Sequence, residues 1–382
     1  MGERVTLGLS GWRLQGQLTG VGRYVQNLVR HWTPEVVGDR FARVTVYTPR
    51  DFEEGSVHLP PGVAGRVIGP PMSMIPWENL RLGPSAAESV MLYPSYSRPI
   101  VTRGASVVVT HDATMRIHPE LYTRADKLIY DRLYGWSARS ATLVITTTHA
   151  AAADIVREWN VDGEKIRVTH LASVESFHPL GDSIDSGAER IRLTGSNEPY
   201  FLFVGKVSGR RNLPRLLEAF AEFRRRSPYL HRLVIAGPRY AIAAVEKLAE
   251  ELDVRQWLVL KTSVDDDDLN ILYNCADAFV MPSTYETVSF PILESQAAGT
   301  PVICVDTPGS REMTGGEALL IPQLEVINLV EALVRVASDP SFRADLAQRG
   351  LRNSRRFSWE KCASATLDVC AEAARLNGTQ AA

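Results

Sequence analysis

The sequence predicts an α/β protein with two doubly wound domains, each a parallel sheet with helices on both faces. Short β-rich apolar runs alternate with amphipathic stretches along most of the 382 residues, which is the pattern of strand–helix–strand units. Several runs are apolar on both faces, as is typical of buried parallel strands. The series occurs twice, on either side of a polar stretch at 178–199 that is rich in Gly, Ser and Pro and indicates a linker.

The predicted elements follow this alternation in order. Strands are expected in the first half at 4–10, 43–48, 89–95, 106–112, 142–148 and 165–171. In the second half they are expected at 200–206, 231–237, 257–263, 277–283, 301–306 and 318–322. Amphipathic helices fall between them, such as 212–226, and a final helix at 358–376 has no strand after it. The predicted domains are 1–180 and 190–357, and ligands are expected at the loops that follow the strands.

The bulk composition excludes several classes of protein. A formal net charge of -2 gives no overall attraction to nucleic acid. No apolar run reaches the roughly 20 residues of a membrane-spanning helix, and no signal peptide is expected. The four cysteines form no C-x-x-C pair, which favours reduced thiols in a cytoplasmic protein. The acidic run at 265–268 is typical of a helix N-terminus rather than of a metal site.

Two loops in the first half carry candidate binding residues. Gly20 and Gly22 precede an amphipathic helix, where glycines let a phosphate or sugar approach backbone N–H groups. Val25 stands where a dinucleotide fingerprint needs a third glycine, so an NAD site is not expected; a plain flexible loop is the alternative. His111 and Asp112 end a predicted strand, where a histidine can hydrogen-bond a reacting hydroxyl. A histidine that only packs the loop is the alternative.

Cations follow the first strand of the second domain. Lys206, Arg210 and Arg211 lie between that strand and the next helix. Cations placed between a strand end and a helix start suit a diphosphate. Solvated charges on a surface loop are the alternative.

The stretch STYETVSFPILES at 283–295 holds two glutamates separated by seven residues. Glu286 is expected in the loop after a strand, and Glu294 about one turn into a helix whose first turn holds Pro291. Backbone N–H groups around 287–290 would then form an anion site between two carboxylates. Acids favoured by the helix dipole are one alternative, and the acid and nucleophile of a glycoside hydrolase are another.

Five segments resemble, in their order along the chain, the retaining nucleotide-sugar-dependent glycosyltransferases of family 4, which have the GT-B fold. They are TGVGRYVQNLV, THDATMRIHPELY, TTTHAAAADIVREWNVDGEKIRVTHLASVESFHP, YFLFVGKVSGRRNLPRLLEAF and MPSTYETVSFPILESQAAGTPVICVDTPGSREMTGGEALLIP. The last contains the family's E-x7-E motif and is the most specific. The resemblance implies two Rossmann-like domains facing across a cleft, with the final helix at 358–376 crossing back onto the first domain.

The resemblance also implies roles for the matching residues. Glu286 corresponds to the acid near the donor sugar's hydroxyls, Glu294 to the acid that binds the donor ribose, and His111 to the histidine near the reacting sugar. Lys206 and Arg211 correspond to the cations at the diphosphate, so the expected catalytic residues are His111, Glu286, Lys206 and Arg211. The other expected contacts are Thr287, Val288, Ser289, Gly205 and Val264 on the donor side, and Gly20, Gly22 and Asp112 on the acceptor or phosphate side.

Two departures from the family pattern concern the donor site. Family members often have E-G-F-G after the first acid, where this chain has Thr287 and Ser289 in ETVSF. The usual Arg and Lys are exchanged as Lys206 and Arg211, and these two side chains differ in geometry. These departures bear on the positioning of the sugar and the phosphate, and hence on the choice of donor.

The expected function is transfer of a hexose, with retention, from a nucleotide sugar to a glycan, glycolipid or lipid-linked acceptor in bacterial polysaccharide or glycoconjugate biosynthesis. The resemblance favours mannose from GDP-mannose, no metal cofactor, and a cytoplasmic protein with peripheral contact at the inner face of the membrane. The aromatic and basic stretch at 120–139 fits such contact or an ordinary amphipathic helix. A GT-B-like epimerase or phosphorylase and a non-catalytic sugar-nucleotide binder are the alternatives.

Overall fold

The computed structural model describes residues 5–16, 18, 20–38, 40–52, 57–206, 209–237 and 242–380. The chain divides into two compact units. The first comprises Met1–Leu171 with Ser358–Ala382, and the second comprises Ala172–Phe357. Each unit is built on a parallel sheet with helices packed against it, so the α/β class predicted from the alternating apolar runs is confirmed.

The first unit holds, within its described residues, a seven-stranded parallel sheet. Its strands are β1 Thr6–Ser10, β2 Arg43–Thr48, β3 Val63–Val67, β4 Val90–Tyr93, β5 Ala105–Val109, β6 Leu143–Thr146 and β7 Ile166–Val168. Their order across the sheet is β3-β2-β1-β4-β5-β6-β7. The order reverses between β1 and β4, and such a reversal opens a crevice beyond the carboxyl ends of the two strands.

The second unit repeats this topology with six parallel strands among its described residues. They are β8 Tyr200–Val204, β9 Arg232–Ala236, β10 Leu258–Lys261, β11 Ala278–Met281, β12 Val302–Val305 and β13 Leu319–Ile321. The order is β10-β9-β8-β11-β12-β13, so here the reversal lies between β8 and β11. The loops after these two strands are the ones that carry Arg211 and Glu286.

Most of the helices lie between the strands, and the last three follow the final strand. They are α1 Gly20–Arg30, α2 Pro34–Val37, α3 Met74–Trp77, α4 Gly83–Ser85, α5 Thr114–Ile117, α6 Arg124–Asp126, α7 Arg132–Ser140, α8 His149–Trp159, α9 Ser186–Thr194, α10 Leu213–Arg226, α11 Ile242–Glu251, α12 Asp266–Cys275, α13 Phe290–Ala297, α14 Pro308–Thr314, α15 Val326–Ser338, α16 Pro340–Ser354 and α17 Trp359–Gln380. Wider π-type turns at Glu78–Leu82 and Lys127–Asp131 join α3 to α4 and α6 to α7. Short 3-10 turns occur at Trp12–Leu14, Pro119–Leu121, Gly163–Lys165, Gly181–Ser183, Gly209–Arg211 and Arg255–Trp257.

The central strands are buried on both faces, which explains their continuous apolar runs. Every residue of β5 and of β8 is buried. The helix α10 turns its apolar face to the core of the second unit and ends in three arginines, Arg224, Arg225 and Arg226, which complement the helix dipole. The last helix, α17, packs against α1, β4 and β5 and so completes the first unit.

The polar stretch at 178–199 is not a linker between the units, so that expectation is wrong. It contains a 3-10 turn and the helix α9, and it lies wholly inside the second unit, which begins at Ala172, before the predicted boundary at 180. Hydrogen bonds hold it there. The backbone N–H of His178 donates to Asn270 Oδ1 at 3.2 Å, and that of Leu180 donates to Asn274 Oδ1 at 2.8 Å.

The strand β3 was not expected from the sequence. Only Val63 of its five residues is buried, and Gly65 interrupts the run, so it lacks the apolar pattern of the other strands. It lies at the edge of its sheet, where one neighbour suffices. The first expected strand, 4–10, is observed from Thr6, and Arg4 lies outside the described residues.

Two further observations concern the chain as a whole. All four cysteines are buried and unpaired, in agreement with packing thiols. Among the described helices, none is long and apolar enough to cross a membrane.

Candidate functional site

Glu286 is the centre of a charged cluster at the carboxyl edge of the second sheet. It follows β11 by five residues, and its side chain is only 3% exposed. Arg210 Nη1 lies 2.7 Å from Glu286 Oε2, and Arg211 Nε lies 3.8 Å from Oε1. The hydroxyl of Ser283 donates to Oε1 at 3.2 Å. Two cations thus face the Glu286 carboxylate where the strand order reverses, and Glu294 adds a second negative charge that acts on Arg211.

Arg211 reaches this position because residue 205 is a glycine. Gly205 has φ +126°, and a Cβ built there would lie 1.5 Å from Arg211 Nη1. The same Nη1 donates to the carbonyl oxygen of Val204 at 3.3 Å. Burial lowers the pKa of the Arg211 guanidinium, and the charge of Glu286 opposes that shift. Gly205 therefore lets a largely buried cation lie against the end of β8.

Arg210 holds the two loops together, which the sequence did not indicate. Its Nη1 also donates to the carbonyl oxygen of Tyr285 at 3.0 Å. Asn212 adds to the junction, since its amide donates to the Arg210 carbonyl at 3.2 Å and to Thr284 Oγ1 at 3.4 Å. Lys206, which the sequence favoured as the second cation, is exposed near the start of the loop that follows β8. The pairing of Arg210 with Glu286 arises only when the β8 and β11 loops meet.

The N-terminus of α13 lies directly after Glu286. Thr287 and Ser289 are buried and Val288 is half-buried. Ser289 occupies the N-cap position but makes no side-chain cap, and its buried hydroxyl has no hydrogen-bond partner among the described residues. The backbone N–H of Ser289 donates to Met313 Sδ at 2.9 Å. A thioether is a weak acceptor, so the N–H of Ser289 would bind an anion more strongly than it binds this sulfur.

Glu294 lies one turn into α13, as the sequence predicted, and is 2% exposed. The phenol of Tyr273, from α12, donates to Glu294 Oε2 at 3.2 Å. Val264, the other expected donor contact, is half-buried after β10, the strand at the edge of the sheet. The structure thus brings Gly205, Arg211 and Glu286 together, while Glu294 and Val264 stand on neighbouring elements.

Gly309 supports the cluster from α14 and was not singled out by the sequence. A Cβ at Gly309 would lie 1.9 Å from the carbonyl oxygen of Glu286. The start of α14 is therefore packed directly on the backbone of the Glu286 loop. A capping box between Thr307 and Ser310 fixes that helix start. The only sequence signal was the dipeptide Pro308–Gly309 after a strand.

The first unit carries its own candidate residues, at the carboxyl edge of its sheet. His111 is 7% exposed, and its Nε2 donates to the carbonyl oxygen of Pro94 at 3.1 Å. Burial lowers the pKa of the imidazole, so His111 is neutral near pH 7 and offers a hydrogen bond rather than a charge. Asp112 accepts from the backbone N–H of Thr114 at 2.9 Å and from the phenol of Tyr96 at 3.2 Å.

The two glycines of the first loop differ. Gly20 begins α1 and is exposed, and no described atom lies within 4 Å of a Cβ built there. Gly22 is buried, and a Cβ would lie 2.8 Å from the carbonyl oxygen of Arg13. Gly22 thus serves the packing of the preceding loop onto α1, whereas Gly20 leaves the helix start open.

The sequence also missed a buried glutamate at the reversal point of the first sheet. Glu78, in the π-type turn after α3, is 1% exposed. The hydroxyl of Ser10 donates to its Oε1 at 2.7 Å, and that of Ser97 donates to its Oε2 at 3.0 Å. Burial raises the pKa of this carboxyl to about 7, and the two serines and Arg13 oppose the shift.

Known proteins resemble both the sequence and the fold. Residues 188–353 match the family model Glycosyl transferases group 1. O-antigen chain mannosyltransferase B of Escherichia coli is 27% identical over 269 residues, covering 69% of this chain and 69% of that protein. A D-inositol 3-phosphate glycosyltransferase of Streptomyces bingchenggensis is 30% identical over 248 residues, 62% of this chain and 54% of that protein.

The fold is shared along nearly the whole chain. The crystal structure of Anabaena HepE in complex with UDP and glucose is 17% identical, has a TM-score of 0.72, and covers 96% of this chain and 99% of that chain. By sequence, the chain spans between 52% and 69% of the curated relatives that it matches. The chain has the GT-B fold and carries a glycosyl transferases group 1 domain in its second unit, so its resemblance to the family-4 glycosyltransferases is confirmed.

Proposed function

We propose that this protein is a retaining, metal-independent glycosyltransferase that moves a hexose from a nucleotide sugar to a carbohydrate or lipid-linked acceptor. The observation that carries the proposal is the cluster of Arg210, Arg211 and Glu286 where the order of the second sheet reverses. Ligands of open parallel sheets bind at this point. The cluster lies inside the matched residues 188–353, and guanidinium groups such as those of Arg210 and Arg211 suit a diphosphate.

The two arginines and the start of α13 would stabilise the leaving diphosphate. Negative charge grows on the nucleoside diphosphate as the glycosidic bond breaks, and donors already in place stabilise it without reorganisation. Arg211 is held by the Val204 carbonyl and by Glu286, so its position is set before the donor arrives. The hydroxyl of Ser289 has no hydrogen-bond partner among the described residues and would be a further donor at the start of α13. This cationic support takes the place that a metal ion fills in other transferases.

Glu286 would orient the donor sugar, and Glu294 would bind the ribose. A carboxylate can accept more hydrogen bonds than Ser283 and the two arginines supply, so Glu286 retains capacity for a sugar hydroxyl. In the first unit, His111 would supply a neutral hydrogen-bonding imidazole toward the reacting sugar. In this account the protein works chiefly by positioning and by electrostatics.

For the donor and the setting we propose GDP-mannose and the synthesis of a bacterial polysaccharide or glycoconjugate. The support is the likeness to an O-antigen chain mannosyltransferase. HepE, whose fold is similar, was crystallised with UDP and glucose, so uridine donors belong in every test. A cytoplasmic location with peripheral contact at the inner face of the membrane accompanies this proposal.

A thermal-shift screen against UDP-, GDP- and ADP-sugars tests the proposal. A donor present at 100 times its Kd should stabilise the protein by about 2.7 kcal/mol, and the stabilising donor is then used in a transfer assay that follows the anomeric configuration of the product by NMR. An α-linked product from an α-linked donor supports retention. Stabilisation by no nucleotide sugar, or an inverted product, would contradict the proposal.

A further inference from the structure

A cavity of about 200 Å³ opens in the first unit, next to the loops that end β4 and β5. It is lined by Tyr96, Asp112, Met115, Tyr122, Tyr134 and Trp159. The volume equals that of roughly seven molecules of liquid water, which is the scale of one six-membered ring with its substituents. Four of the six lining residues are aromatic. A mostly apolar wall with a few polar groups, as here, is the usual composition of a small-molecule site.

The side chains that line this cavity are held in place by contacts with one another and with residues outside it. The ring of Tyr134 stacks on that of Tyr96 with centroids 5.0 Å apart. The ring of Tyr130 also packs against Tyr134, with centroids 5.8 Å apart. The indole N–H of Trp159 donates to Asp131 Oδ1 at 2.8 Å. Walls that are already ordered cost a ligand little entropy on binding.

Tyr96 adopts a backbone conformation that few non-glycine residues adopt. Its φ is +65°, which costs on the order of 1 kcal/mol or more. This conformation, directly after β4, places the phenol within 3.2 Å of Asp112 Oδ2 and the ring against Tyr134. The strained backbone of Tyr96 thus lies in the wall of the cavity, and it holds the Tyr96 ring in the position that shapes this wall.

Asp112 is the polar group of the cavity with unused capacity. Its carboxylate accepts two hydrogen bonds from the described residues, from Thr114 N and from the Tyr96 phenol. An ionised carboxylate accepts about four. The remaining lone pairs of this half-buried carboxylate are available to hydroxyl or N–H donors of a ligand.

The charges around the cavity favour a neutral ligand. Burial raises the pKa of the Tyr134 phenol to about 12, and Arg13 opposes that shift, so a cation lies close to this wall. Asp131, behind Trp159, is neutralised by Arg116 Nε at 2.7 Å. Arg13 Nε donates to Ser95 Oγ at 2.8 Å, next to Tyr96, so an organic cation at this wall would meet a like charge.

We propose that this cavity binds one neutral pyranose ring of the acceptor glycan. A pyranose has C–H groups on its faces, which pack on the electron-rich faces and edges of aromatic rings. Its rim of hydroxyls supplies the donors that Asp112 can accept. The assignment of the ring to the acceptor rests on the proposed function, whereas the fit of a pyranose to the cavity rests on the residues alone.

The test is protein-observed NMR titration with methyl α-D-mannopyranoside as the probe, with choline and a short alkyl glycol as the comparison ligands. Saturable shifts are expected for the pyranoside. Asp112→Ala should weaken its binding by about tenfold, the loss for a hydrogen bond to a charged group, and Tyr122→Ala should weaken it by removing one aromatic wall. The matched control is Asp162→Ala, because Asp162 also accepts from a backbone N–H two residues ahead, at 3.0 Å from Glu164 N, but lies outside this cavity.

The titrations either support or overturn pyranoside binding in this cavity. Saturable pyranoside binding that Asp112→Ala weakens and Asp162→Ala leaves intact supports the subsite. Absence of saturable pyranoside binding, with or without binding of choline or the glycol, or equal affinity in Asp112→Ala and wild type, would overturn it. Nucleotide-sugar binding is measured on the same variants. If the wild-type protein binds the pyranoside but no nucleotide sugar, the proposed donor function fails and the cavity assignment stands.

Discussion

Both sheets bury a glutamate where their strand order reverses, and the two glutamates differ in what holds them. Glu78 in the first unit accepts from the hydroxyls of Ser10 and Ser97. Glu286 in the second unit faces the guanidinium groups of Arg210 and Arg211. The topology is the same in both units, so the loops alone decide the chemistry at each crevice.

The difference separates a crevice with hydroxyls around its carboxyl from a cationic one with two guanidinium groups around its carboxylate. Neutral hydroxyls compensate the buried carboxyl of Glu78 only in part, and burial raises its pKa to about 7. At Glu286, the compensating groups are two guanidinium cations, which also attract an anionic ligand. The first crevice is therefore suited to uncharged groups and the second to an anion such as a diphosphate.

The largest effect is expected from Glu286→Gln. Glutamine keeps the shape but removes the charge that orients Arg210 and Arg211, so the rate of transfer should fall by about a thousandfold. The measurement is kcat with the donor found by thermal shift. Glu222→Gln is a matched control, because Glu222 also pairs with two arginines, Arg225 and Arg226, but on the exposed end of α10. Similar rates for the two variants would remove Glu286 from the site.

A smaller effect is expected from Gly205→Ala. The new Cβ would clash with Arg211 Nη1, and the residue would be held at φ +126°, which costs about 1–3 kcal/mol. The melting temperature should fall, and the affinity for the nucleoside diphosphate should fall with it as Arg211 is displaced. Gly163→Ala is the control, since its nearest described atom, Val156 Cγ2, lies 3.8 Å from the added Cβ. Unchanged nucleotide affinity in Gly205→Ala would show that Arg211 does not contact the donor.

Glu78→Gln is expected to change how stability depends on pH. The folded-state pKa of Glu78, about 7, lies above the ordinary value of 4.5, so the protonated carboxyl stabilises the fold below 4.5. That contribution, at most about 3 kcal/mol, is lost as pH rises toward 7. The variant, which has no carboxyl to ionise, should gain in melting temperature relative to wild type over this range. A difference in melting temperature that stays constant with pH would contradict the burial effect.

The smallest effect is expected from removing metal ions. Because Arg210, Arg211 and the start of α13 supply the positive charge, dialysis against EDTA should leave the rate of transfer unchanged. A loss of rate that Mg²⁺ or Mn²⁺ restores would place a metal ion in the cationic crevice, and the proposed role of the two arginines would then need revision.

The sequence predicted the parts of this picture that depend on local patterns. The strands of both sheets follow from apolar runs, and the places of Glu286 and Glu294 follow from a strand end and a proline in the first turn of a helix. The edge strand β3 was missed because only one of its five residues, Val63, is buried. Its sequence therefore lacks the apolar run that marks the other strands. The stretch at 178–199 misled because polar composition does not distinguish a linker from a surface segment.

The remaining features depend on residues far apart in the chain. Ser10 and Glu78 are separated by 68 residues, and Arg210 and Tyr285 by 75. Such contacts arise only when strands are placed in order, and no periodicity encodes them. Lys206 and Arg211 were expected to be the pair of diphosphate cations, whereas the structure joins Arg210 and Arg211 to Glu286. The three are close in sequence, so composition alone could not choose between them.

The most direct test of the central claim is calorimetric titration of UDP, GDP and ADP into wild-type protein and into Arg211→Ala. The account predicts that one nucleoside diphosphate binds wild type at a single site, and that Arg211→Ala weakens this binding by at least about tenfold. Absence of binding by all three, or equal affinity in the variant, would contradict a diphosphate site at the reversal point of the second sheet.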